Sequence, residues 1–300
     1  MRQGRIELYR LLVNDTSITG LVRTAPKSPY WRAITAESTL AAQQVAAAGP
    51  ALDDLDPARI GSFYAAFFPL SIGYERMAKI ALHVDTKITT GDFISTKTMR
   101  TDIGHRLNEL FDRVAVVCER RGYKLARPAE PIHEAILSIL TEFATTGRYN
   151  HLDTLGSSTV TSKDAEYEWD QRVLPLLTEK HLKARMKETM LRKAAFLGAV
   201  IEAGKDDFTA LVIHHDVSGE IHTDLHTMEL VRDLYRSMNP WGRMYALQLG
   251  RWLAEVLHAL SNDALKSARA RDHVPYLIEF FGPLTASDSL LRTRRHLMRS

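Results

Sequence analysis

Three hundred residues, 45% of them hydrophobic, supply one sizeable core or two modest ones, and the formal charge of +3 is small for that length. So slight a balance excludes the strongly basic and strongly acidic classes, and leaves any contact with a polyanion to local patches. A single cysteine, Cys118, excludes an internal disulfide framework and fits a reducing compartment.

The first thirty residues are the least helical part. Glu7 to Val13 reads as one short strand stopped by Asn14-Asp15, and Pro26 and Pro29 keep the chain extended. Alanine and glutamine then predict a helix from about Ala33 to Ala48, ended by Gly49-Pro50. The next helix, from about Ser62 to Val84, carries Phe67, Leu70, Tyr74, Met77, Ala81 and Val84 at alternating three- and four-residue steps, with Pro69 as a kink or a late start. Lys87 to Gly104 reads as a polar loop.

Leu107, Leu110, Phe111, Val114, Val117 and Cys118 form one apolar face of a helix closed by Gly122, which makes Cys118 an inert buried thiol. Pro131 opens another helix, stopped by Gly147, and an irregular segment from Arg148 to Ser162 follows. Residues from about Asp164 to Ala203 read as helical with an interruption near Pro175. A helix bearing Ile221, Leu225, Met228, Val231, Tyr235 and Met238 comes next, and Asn239-Pro240 caps a separate helix carrying Tyr245, Leu249, Trp252, Val256 and Leu260. Val274 to Phe281 is a short apolar segment, and the chain ends in the basic run Leu291 to Arg299, a solvated end or a contact for an anionic partner.

This pattern predicts an all-α protein, an irregular multi-helix bundle with a short extended N-terminal segment. Residues 1–60 form an N-terminal extension and first helix, and residues 61–300 a helical bundle with a C-terminal helical extension, in one continuous globular unit. With no signal-like apolar leader and no run of membrane-spanning length, the expectation is a cytoplasmic protein without a membrane partner.

Charged residues on the oily segment Tyr74 to His83 mark either a structural ion-pair network or the floor of a site, because an unpaired buried charge is costly. Glu75 is placed to pair with Lys79 or Arg76. In a catalytic reading Arg76 or Lys79 holds an anionic group while Glu75 orients the cation. A second concentration, Arg148-Tyr149-Asn150-His151-Leu152-Asp153, follows a helix stop. There Arg148 suits phosphate, Tyr149 a stacked base and His151 proton transfer, while Asn150 and Asp153 also suit turn capping. His105 stands after Gly104 at a helix entrance, where free backbone amides can hold an anion.

His222 and His226 stand four residues apart with Asp224 and Glu229 nearby, but spacing supplies no third ligand, so no metal site is assigned. The phosphate-loop, dinucleotide and serine-hydrolase signatures are absent, and no cofactor is expected.

Three segments, Leu70 to Lys79, Gly104 to Leu107 and Arg148 to Asp153, together with Pro275 to Phe281, resemble the HEPN-like bacterial helical proteins. The resemblance covers roughly residues 60 to 160 and implies a helical-bundle core, often dimeric. That family includes metal-independent ribonucleases of toxin, antiphage and RNA-processing systems, and members without catalysis. Its ribonucleases place a histidine after an arginine with four to six residues intervening. Arg76 to His83, Arg100 to His105, Arg127 to His133 and Arg251 to His258 all fit, about as many as chance placement gives, whereas Arg148 has no histidine at positions 153 to 155.

The resemblance therefore implies an RNA-binding or metal-independent ribonuclease-type protein of a bacterial defence or stress system, with His105, Arg148 and His151 as catalytic candidates. Glu75, Arg76, Lys79, Tyr149, Asn150 and Asp153 are the binding or structural polar residues. RNA, a second copy of the chain or a small protein are the expected partners. The alternatives are a non-catalytic helical binding or assembly protein and a small-molecule enzyme with its pocket between helices.

Overall fold

In the computed structural model, which describes residues 28–145, 147, 155, 164–203, 214–215, 221–222 and 225–296, the predicted all-α bundle is present. The extended segment read at Glu7 to Val13 lies outside the described residues.

Helix α1 spans Pro29–Asp53. It starts earlier than its alanine-rich stretch suggests, because the Ser28 hydroxyl accepts the Trp31 N–H at 3.1 Å and Pro29 fits the first turn. It also runs through Gly49-Pro50, since Leu52 in the last turn and Leu55 just beyond are buried in the core and hold the chain on course. A short turn leads into α2, Ile60–Thr90, which contains Pro69 without ending there.

The stripe predicted on α2 is the centre of the protein: Phe67, Leu70, Tyr74, Met77, Ala81 and Val84 are all fully buried. Around it pack α1, α3 (Leu107–Arg121), α4 (Pro131–Thr145) and α7 (Leu225–Lys266). Gly73 lets α1 and α2 touch, because a Cβ there would lie 2.6 Å from Val45 Cγ2. On the opposite side the Tyr74 hydroxyl donates to the Ala246 carbonyl of α7 at 2.6 Å.

The expected loop 87–104 is largely structured. After α2 ends at Gly91, a helical turn at Thr96–Thr98, capped by Ser95, runs into a π-turn at Met99–Ile103. Beyond α4, the helical stretch Ala165–Glu168 passes through a π-turn at Trp169–Val173 into α5, Leu174–His181. Pro175 therefore lies in the first turn of α5, and the chain breaks after it, before α6, Ala184–Ala203.

The expected break at Asn239-Pro240 is absent: α7 is continuous through Pro240. A proline inside a helix costs about 3 kcal/mol, but buried Tyr235 and Met238 before it and Met244 and Tyr245 after it fix both halves on the core. Asn239 does not cap a helix, since its Nδ2 donates to the carbonyls of Asp53 at 3.0 Å and Leu55 at 2.9 Å. Ile221 and His222 belong to no helix, because β2 (Ile221–His222) pairs antiparallel with β1 (His214–His215).

Two buried ionic clusters tie the bundle. Asp85 of α2, 5% exposed, accepts from Arg121 Nε at 2.7 Å and from Arg120, while Arg121 reaches Asp263 of α7 at 3.4 Å. Arg243 of α7, 2% exposed, bonds Asp53 and donates to the carbonyls of Leu291, at 3.0 Å, and Arg292. Burial pushes the Asp53 carboxyl up to about 6 against the pull of Arg243. The C-terminal helix α8, Asp288–Thr293, is thereby fastened to the core. Two residues of its basic run are engaged within the protein: Arg292 lies 4.3 Å from the Trp241 ring centre and Arg295 pairs with Asp54. Among the described residues no helix is long and apolar enough to cross a membrane.

Candidate functional site

Along α2 the four polar residues part company. Glu75 Oε1 accepts from Lys79 Nζ at 2.9 Å, the one-turn pair their spacing predicts, and both side chains are only 17% exposed. The same oxygen lies 2.8 Å from Nδ1 of His105, thirty residues on. Arg76 points away from this group and pairs with Glu37 of α1. His83, a turn beyond Lys79, is half-buried against Phe93 with no partner for its Nδ1 among the described residues, and burial together with the Lys79 charge lowers its pKa.

Gly104 sets the position of His105. It has φ 66° and ψ −149°, a region essentially reserved for glycine, and that turn carries the chain from the π-turn into α3. His105 therefore stands just ahead of the helix with its side chain 67% exposed. A carboxylate has no proton to donate, so the bond to Glu75 requires a proton on Nδ1, and in the neutral ring this leaves the lone pair on Nε2. Lys79 gives Glu75 one of its three donors.

The α3 entrance itself is less open than the sequence suggests. The Asn108 N–H donates to Thr141 Oγ1 at 3.1 Å, and the Glu109 N–H to Asn108 Oδ1 at 2.9 Å. Side chains, rather than the free amides of a helix end, are what this site offers a ligand. Arg148, Tyr149, Asn150, His151 and Asp153 lie outside the described residues, so the structure places none of them relative to Glu75, Lys79 and His105.

A second polar junction had no signature in the sequence. Nδ1 of His133, which is 3% exposed, accepts the Glu130 N–H at 3.2 Å, so Nε2 carries the proton and donates to Gln248 Oε1 at 2.7 Å. Nearby, His181 stacks on Trp241 with centroids 3.7 Å apart and places Nε2 3.1 Å from the Tyr245 hydroxyl. Lys180 pairs with Glu130 over the Tyr245 ring. Burial lowers both histidine pKa values, and the charge of Lys180 acts in the same direction on each. Both His133 nitrogens are occupied, which suits a structural role. Residues brought together from positions 130, 133, 181 and 245 leave no linear motif.

Cys118 is buried, and desolvation pushes its thiol up to about 11, which leaves it protonated at neutral pH. Among the described residues no group of three or more His, Cys, Asp or Glu is arranged to hold a metal ion. His222 and His226 do not share a helix, because His222 is in β2 and α7 begins at Leu225. No family model matches the chain, and no curated protein or solved structure matches it either.

Proposed function

We propose that this chain is an RNA-binding protein with metal-independent ribonuclease-type chemistry at Glu75, Lys79 and His105, in a bacterial defence or stress system as the HEPN-like resemblance implies. One observation carries the reading: an exposed imidazole held through Nδ1 by a carboxylate that also holds a lysine. In this reading Nε2 of His105 takes the proton of a ribose 2′-hydroxyl, and the resulting oxygen attacks the adjacent phosphorus. A 2′,3′-cyclic phosphate forms, the bond to the 5′-oxygen breaks, and that oxygen takes a proton from solvent. Lys79 offsets charge building on the phosphoryl oxygens, and Glu75 keeps the imidazole in the basic tautomer and stabilises its protonated form.

The test is incubation of the full chain with mixed cellular RNA in EDTA. Cleavage is expected, and His105→Ala should slow it by roughly 10²- to 10⁴-fold, the usual contribution of a positioned acid–base group. Wild-type protein that leaves RNA intact over a range of salt and pH overturns the catalytic reading.

A second reading rests on the low exposure of the Glu75–Lys79 pair. With those two charges shielded, the triad acts as a latch holding the 91–106 segment to α2 in a non-catalytic assembly protein. Under that reading His105→Ala lowers thermal stability and the folded protein is inert toward RNA.

A further inference from the structure

Where α6 meets α7, cations are neutralised. Lys193 lies 2.7 Å from Asp233 and 3.6 Å from Glu229, and Arg236 reaches both acids at 3.1 Å. Met190 and Ala194 are buried against α7 in the same seam. The outward side of α6 is different. Arg185 and Arg192 are exposed there and have no ion-pair partner among the described residues. Glu188, three residues from Arg185 and four from Arg192, pairs with neither. On the same side Phe196 is 72% exposed and Val200 51%.

Helical geometry aligns these groups. Arg185, Thr189, Arg192, Phe196 and Val200 follow one another at three- and four-residue steps, a single stripe with about 16 Å between Arg185 and Phe196. Two unpaired guanidinium groups followed by a bare aromatic ring suit a chain that carries phosphates and flat bases together. A membrane surface fits less well. Exposed Leu191 lies about 140° around the helix from Phe196, with only the short side chains of Ala195 and Ala199 and the charged Arg192 between them, so the long apolar groups are split and do not sink together into lipid.

We infer that the outward stripe of α6 is a docking track for single-stranded RNA, with Arg185 and Arg192 on phosphates and Phe196 stacked on a base. The inference rests on the RNA reading above and adds a surface to it. At the C-terminus, Arg292 and Arg295 are engaged within the protein and are the less suitable phosphate ligands.

The experiment is fluorescence anisotropy of a labelled single-stranded RNA across a salt series, with the full chain. Arg185→Ala/Arg192→Ala is expected to lower the slope of log K against log salt by about 1.4, since each phosphate contact on a single strand contributes about 0.7. Phe196→Ala should weaken binding by roughly 5- to 100-fold with the slope unchanged, and Phe196→Trp should preserve it. Because these side chains are exposed, the melting temperature of each variant should match wild type. Affinity and slope unchanged in both variants overturn the track while leaving cleavage at His105 standing. Wild-type protein that fails to bind RNA overturns both. Flotation with phosphatidylserine vesicles that is lost in the same variants, without an effect on RNA binding, replaces the track by a membrane contact.

Discussion

Replacing Gly104 with alanine probes the link between backbone and site. Nothing lies within 4 Å of the added Cβ, so the substitution brings no steric clash with neighbouring groups and the penalty is the backbone conformation alone. At φ 66° and ψ −149° a non-glycine residue costs on the order of 1–3 kcal/mol, which for a chain of this size lowers Tm by roughly 2–5 °C. Relaxing that strain means rotating the peptide that precedes His105, which pulls Nδ1 away from Glu75. Gly122→Ala is the matched control, because Gly122 also has positive φ, 69°, but closes α3 far from His105 in sequence. Thermal unfolding and RNA cleavage by both variants separate the effects. Both should lose stability, and only Gly104→Ala should lose activity out of proportion to its loss of fold. Unchanged stability in Gly104→Ala, within about 0.5 kcal/mol, or equal activity loss in both variants, refutes the reasoning.

Asp85→Ala should destabilise the protein by roughly 3–5 kcal/mol in urea unfolding, because it leaves Arg121 largely buried without its main partner. A paired Arg121→Met change should recover part of that loss, and strictly additive losses would deny the contact. His133, whose pKa burial lowers, binds fewer protons folded than unfolded. Its contribution to stability is therefore complete above the unfolded value of about 6.5 and is lost as pH falls below it. The difference in Tm between wild type and His133→Gln should shrink from pH 8 to pH 5, and a constant difference contradicts a neutral buried imidazole. A thiol reagent at pH 8 should leave Cys118 unlabelled in the folded protein and label it in urea, since burial pushes the thiol up to about 11. Fast labelling without denaturant is the contrary result.

Local features were legible in the sequence, and features set by distant contacts were not. The α2 stripe from Phe67 to Val84 reads directly as a buried face because hydrophobic periodicity reports burial within one helix. The Glu75–Lys79 pair follows from four-residue spacing in the same way. Continuation of α1 past Pro50 and of α7 through Pro240 depends on burial against other elements, which overrides the local signal of a proline. His105 was marked by its place after Gly104, but its bond to Glu75 spans thirty residues and required the fold. The separation of Arg76 from Glu75 likewise depends on where α1 places Glu37.

The site turns on which nitrogen of His105 carries the proton, and ¹⁵N-edited NMR of the histidine ring nitrogens reads that directly. With His105 assigned by its loss in His105→Asn, the spectrum at pH 8 should show Nδ1 protonated and Nε2 bearing a free lone pair. Glu75→Ala should shift the His105 resonances toward an exchanging mixture of tautomers. An Nε2-protonated ring in the wild-type protein, or a His105 signal indifferent to Glu75→Ala, contradicts a carboxylate-held base at this position.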